Sequence, residues 1–147
     1  MIEKIREFIA RCPYLDVKGL IYIEWLGNEA VEYSIEETPS NPIISENIDG
    51  STTRQLTFTF ASREWYSKEL IQNIANSNFY KNFAEWLELQ TLKGDLPDIG
   101  EGKTPYKIEA TSSGYLFNTN AGLQTARYQI QCRLLYEQDE LDPNYSI

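Results

Sequence analysis

Carboxylates are the most abundant reactive groups in this chain. Twenty-two Asp and Glu stand against 13 Lys and Arg, and there is no histidine. Glu36 and Glu37 adjoin, Asp95 and Asp98 lie three apart with Glu101 beyond, and Asp139, Glu140 and Asp142 form a run. Two carboxylates at a set separation make an acid–base pair, and converging oxygens bind a hard cation. None of these groups has EF-hand spacing, and at this acid content adjacent pairs arise by chance, so a solvated surface is the stronger reading. Without histidine, the commonest general base, the Ser-His and Cys-His nucleophiles and most zinc sites are gone. Gly100-x-Gly102-Lys103-Thr104 lacks the full phosphate-loop spacing and does not lead clearly from strand to helix, which dismisses nucleotide binding. No cofactor is expected, and the enzyme class is weakened.

Composition bounds what must position these groups. A chain of 147 residues with 41% hydrophobic and 13% aromatic content supports one packed domain. No apolar run approaches a membrane span, and the charged N-terminal segment lacks a secretory apolar region, so the chain is expected to start in the cytoplasm without membrane association. Cys12 and Cys132 are expected to be reduced and buried. The net charge of −9 disfavours phosphate-neutralising contact with nucleic acid.

The organising stretch is DGSTTRQLTFTFASRE, residues 49–64. A Gly turn opens it; Leu56, Phe58 and Phe60 then alternate with Gln55, Thr57 and Thr59, which predicts a half-buried central strand. Ile2, Ile5, Ile9 and Cys12 predict an amphipathic helix stopped by Pro13. Residues 20–26 and 30–36, around Gly27-Asn28, read as a β-hairpin. Residues 37–51, with Pro39 and Pro42, read as a long loop, as do residues 93–105. Between them, Ser62 or Ser67 caps a first helix to about Ser77, carrying Leu70, Ile71, Ile74 and Ala75. Ser77-Asn78 then starts a second, carrying Phe79, Phe83, Trp86 and Leu87. Residues 106–111 alternate again, and Tyr115-Leu116-Phe117 extends that strand after a bulge, before a turn at 118–122. Residues 127–136 make the last strand.

The expected fold class is α+β, in the order α-β-β-β-α-α-β-β. A mostly antiparallel sheet of about five strands carries helices on one face, in a single domain over 1–136, with an acidic flexible tail over 137–147. The other face would present Gln55, Thr57, Thr59, Gln129, Gln131, Arg133, Glu32 and Ser34, a polar surface of the kind that meets another protein. Arg63 with Glu64, and Arg127 with Arg133, are candidates for ion pairs within or between subunits.

Three runs carry a family resemblance: YSIEETPSNPIISENIDGSTTRQLTFTFASREWYS, FYKNFAEWLE and the closing A-x-Y-x-I-Q-C-R-L-L-Y. From about Gly19 to Tyr136 the chain resembles the minor capsid or tail terminator proteins of tailed phages and prophages of Gram-positive bacteria. The resemblance implies a structural virion protein with no catalytic residues. It implies a homohexameric ring at the head-proximal end of the tail tube, which stops tube elongation and meets the head-completion or stopper protein. Its partners would be itself, the major tail tube protein and that stopper, and DNA would pass through the ring without specific binding. The chain would reside in the host cytoplasm during assembly and then in the virion tail.

With the polar face and the two long loops, this role places subunit or tube contacts at Ile43, Ile44, Glu46, Asp49, Arg63, Asp95, Asp98, Glu101, Lys103, Arg127 and Arg133. Other readings are a different head–tail connector component, a ligand-binding domain using Trp25, Trp65 and Tyr115, and, last, a carboxylate- or Lys-dependent enzyme.

Overall fold

The structure is a computed structural model that describes residues 1–15, 21–24, 26, 32–65, 70–120 and 125–144, with side chains described for all of these except 70–77 and 120. Its spine is a pair of 14-residue strands, β4 (Thr52–Trp65) and β7 (Thr125–Gln138). They pair antiparallel from Thr52↔Gln138 to Trp65↔Thr125 without a register shift. Each long strand is flanked by two short ones. β2 (Glu32–Thr38) and β3 (Ile43–Glu46) share the outer side of β4, and β5 (Lys103–Ala110) and β6 (Tyr115–Asn120) share the outer side of β7. β1 (Ile21–Ile23) lies beyond β2.

The helices α1 (Ile2–Ile9) and α2 (Leu70–Lys93) supply the apolar layer. Register puts Ile35, Phe60 and Ile130 side by side, with Phe58–Cys132 and Leu56–Leu134 on the next rungs of the same face. Phe60 stacks on Phe83 with ring centroids 4.5 Å apart, and Phe8 of α1 meets Trp86 at 5.1 Å. Ile5, Ile9, Phe58, Phe60, Phe83, Leu87 and Ile130 are completely buried. Burial of this kind stabilises by about 1.5–3 kcal/mol per large apolar side chain.

The α+β class and the mostly antiparallel sheet are as expected, but the sheet has seven strands, not about five, and the order is α-β-β-β-β-α-β-β-β. Four differences account for this. Residues 43–46, read inside a loop, form β3; four residues carry too short a pattern to announce a strand, and pairing with β4 creates it. Tyr115–Asn120 is a strand of its own, separated from β5 by residues 111–114 though both pair with β7. One helix runs through Ser77-Asn78, because the small penalty of Ser and Asn in a helix is outweighed by the packing of Phe79, Tyr80 and Phe83. β1 runs parallel to β2, Ile21 beside Tyr33, so the two do not form the expected hairpin; alternation reports facing and carries no information on strand direction.

Two boundaries also move. β5 begins at Lys103, inside the expected loop, with Pro105 at an edge position beside a register shift, where a missing N–H is tolerated. β7 continues past Tyr136 to Gln138. The Gly27-Asn28 turn, Trp25 and the Ser67 cap lie outside the described residues, as do the side chains of Leu70, Ile71, Ile74 and Ala75.

One buried polar link ties α2 to the spine. The Tyr80 hydroxyl donates to the Tyr128 carbonyl at 2.9 Å and accepts from the Ser62 hydroxyl at 2.5 Å. Burial pushes the Tyr80 phenol well above its ordinary value. The folded chain therefore keeps a proton that the unfolded chain releases near pH 10, and stability falls as pH rises past about 10. Tyr80→Phe should remove that part of the alkaline fall and lower stability at neutral pH by about 1–3 kcal/mol, read by urea unfolding at both pH values. Gly114 packs directly on the Tyr80 ring, and an added Cβ would overlap it. Gly114→Ala should therefore cost about 1–3 kcal/mol in the same assay.

Candidate interaction surface

No helix covers the second face of the sheet among the described residues. Register places there the eight residues expected from alternation, including Ser34, Thr57, Thr59, Gln129, Gln131 and Arg133. These side chains hold one another. The Glu36 carboxylate accepts from the Ser34 hydroxyl at 2.9 Å and from the Arg127 guanidinium at 2.6 Å. Arg127 Nε donates to Gln129 Oε1 at 2.9 Å. Gln129 and Gln131 both donate to the Tyr115 hydroxyl, at 2.6 and 2.9 Å, and Thr59 donates to Gln131 Oε1 at 2.9 Å. One chain of hydrogen bonds thus crosses β2, β4, β7 and β6. A second joins Arg133 to Glu109 at 2.8 Å and Glu109 to Lys107 at 3.5 Å.

The centre of this face is already dry within one chain. Ser34 and Ala61 are fully buried, and Thr59 and Gln129 nearly so. Arg63 lies directly opposite Arg127, an unfavourable like-charge pairing that Glu32 and Glu36 offset. Burial, then Arg127, pulls the Arg63 guanidinium below its ordinary value, and Glu32 acts against that. Arg127 also sits over the Phe117 ring at 5.2 Å. At the same end of the ladder, Glu32 Oε2 and Thr125 Oγ1 are buried with no hydrogen-bond partner among the described residues.

The eleven residues singled out from sequence fall into three places. Arg63, Arg127 and Arg133 share the polar face. Their acid partners are across the sheet, Glu36 for Arg127 and Glu109 for Arg133, neither of which the pairings expected from sequence contain. Ile43, Ile44, Glu46 and Asp49 form the β3–β4 arm, whose turn leaves Ile48 fully exposed. Asp49 accepts from the Ser51 hydroxyl and N–H, which lowers its carboxyl below the ordinary range. Asp95, Asp98 and Glu101 lie in the loop before β5, and Lys103 begins that strand. Asp95 pairs with Arg11 at 3.3 Å, and Asp98 accepts from the Gly100 N–H at 3.1 Å.

Arm and loop are brought together with the segment after β7. The Asp139 N–H donates to the Gly102 carbonyl at 2.8 Å, and the Glu140 carboxyl group lies against Gly50, filling the space a Cβ would need. Gly50 has φ +90°, a second reason for glycine there. Eleven steps of the ladder, from Thr52–Gln138 to Arg63–Arg127, separate this acidic end from the two arginines by about 37 Å.

Of the acids flagged at the outset, Glu36 and Asp95 act as ion-pair partners and Asp98 and Asp142 as turn acceptors. Among the described residues no group of three or more Cys, Asp or Glu is placed to hold a metal ion. No helix is long and apolar enough to cross a membrane, again among the described residues. A groove of about 490 Å³ runs between α2 and β5, lined by Ala84, Glu88, Thr91, Leu92 and Ile108 among others. Sequence reasoning missed the roles of Glu36, Tyr115 and Thr91; the signal was the even spacing of polar side chains on β2 and β7, which becomes a network only when the register is known.

Arg127→Met should cost about 1.5–3 kcal/mol in urea unfolding, since it strands the Glu36 carboxylate. Adding Glu36→Gln should recover part of that loss, so the double-mutant cycle is non-additive. No family model matches the chain, and a search of curated proteins finds no match.

Proposed function

We propose that this chain is a structural protein of a phage tail, a tail terminator. Copies close into a homohexameric ring at the head-proximal end of the tail tube, stop its elongation and meet the head-completion protein. No catalytic step is assigned. The observation that carries the reading is where the resembling runs fall: Tyr33–Trp65 spans β2, β3 and β4, residues 79–88 lie in α2 and pack on the sheet, and residues 126–136 lie in β7. The resemblance thus covers the spine of the sheet and its apolar cover, the parts that fix the shape of a subunit.

Three features support an assembly role. The second sheet face is a polar plane whose central side chains are hydrogen-bonded to one another, with little conformational entropy left to lose on contact. The β3–β4 arm exposes Ile43, Ile44 and Ile48, apolar surface that a solitary soluble domain gains little by displaying. The net charge of −9 repels DNA, which suits a conduit through which DNA passes without being held. The virion tail would be its final location.

Light scattering coupled to gel filtration tests this, with the purified chain alone and with purified tail tube protein. The expected result is a mass six times the 17.0 kDa of the chain, alone or on the tube end. A monomer under both conditions would overturn the reading.

A further inference from the structure

Two strand edges of this sheet, those of β6 and β3, are neither paired nor guarded among the described residues. β5 is guarded: the Thr91 hydroxyl of α2 donates to the Ile108 carbonyl at 2.9 Å and accepts from the Ile108 N–H at 3.1 Å, and Lys103, Lys107 and Glu109 add charge. Both devices block an incoming strand. β6, which continues the same edge, has neither. Its sequence, YLFNTN, contains no charge, and Tyr115, Leu116 and Phe117 are 38%, 43% and 56% exposed. Among the described residues its only partner strand is β7, and no described group hydrogen-bonds its outer side. An uncharged, apolar edge is a template for another chain, and β6 remains one although a register shift between Leu116 and Asn118 interrupts its pairing with β7.

The second open edge is β3, on the opposite side of the sheet. It pairs only with β4, all four of its residues are exposed, and Ile43 and Ile44 are 37% and 47% exposed. One molecule cannot join these two edges to each other, because β4 and β7 lie between them. We propose that β6 of one copy accepts β3 of a second copy as an added strand, so the sheet continues from molecule to molecule. This rests on the ring reading and names the contact by which its subunits join.

Charge disfavours the pairing of β3 with a second β3. β3 carries Glu46, with Asp49 in the adjoining turn, and neither has an ion-pair partner among the described residues. Two β3 strands side by side would bring these acids together, which is unfavourable. β6 brings no acid and is backed by Arg127 at the Asn118 rung. The contact is heterologous, one surface of each copy meeting a different surface of the next, which is the geometry a closed ring requires. Main-chain hydrogen bonds supply affinity, and the apolar side chains of both strands supply register.

The test uses Ile44→Lys and Phe117→Lys, both at exposed positions, in the full chain with and without tail tube protein. Each variant alone should stay monomeric by light scattering, whereas an equimolar mixture should form a dimer of one copy of each, since one intact β3 and one intact β6 remain. That recovery also shows that both variants fold. In the wild-type assembly, amide hydrogen exchange at residues 43–46 and 115–120 should slow by at least about tenfold, with β5 unchanged. If both variants assemble like the wild type, the contact is wrong and the ring reading stands. If only Phe117→Lys blocks assembly, β6 pairs with β6 and the proposal is overturned. A wild-type chain that stays monomeric under both conditions removes the contact and the ring reading together.

Discussion

The uninterrupted register between β4 and β7 is the constraint on which everything else depends. Side chains alternate with period two, so a slip of β7 by one residue would send Ile130 and Cys132 to the polar face and Gln129 and Gln131 into the core, against Phe58 and Phe60 of β4. The two faces punish that slip independently. The core face would bury amides without partners, and the polar face would lose those amides from its network. The short strands β2, β3, β5 and β6 inherit their positions from this ladder, and the arm and the polar face lie where they do because of it.

The polar face shows how a sheet surface can be buried and polar at once. Its central side chains are covered by their own neighbours, and each hydrogen bond is made within the chain. Arg127 is the hinge of the arrangement: it answers the Glu36 carboxylate, orients Gln129 and lies over Phe117. A rigid, pre-satisfied plane offers a partner shape and few unmet demands. The sheet edges are less complete, and there the structure points outward.

The half of this that was legible in sequence is the half governed by local pattern. The alternation of residues 55–60 placed the core face of β4, and the parity of residues 127–136 placed the polar residues of β7, so the membership of the open face followed. What escaped depends on partners distant in sequence. β3 is four residues long and exposed throughout, so it has no burial pattern to read. The continuity of α2 through Ser77-Asn78 is a packing effect. Glu36 and Arg127 are 91 residues apart, and no spacing rule links them; only the sheet, which sets β2 and β7 on either side of β4, brings them together. Of the candidate residues, the arm and the acidic loop were singled out for length and polarity, and what joins them is the chain end that returns past Gly50 and Gly102.

The ladder also sets an order of events during synthesis. Its rungs join residues from 60 to 86 positions apart, with Thr52 waiting for Gln138. The central strand is therefore made long before its main partner, while β2 and β3 are available at once. A ribosome-bound chain holds a four-stranded fragment, β1 to β4, whose inner side already carries Phe58 and Phe60 and whose main partner strand, β7, is still untranslated. Long-range pairing of this kind is slow. Thr125 and the strand that follows it close the sheet, complete the polar network and shelter the aromatic layer in a single step.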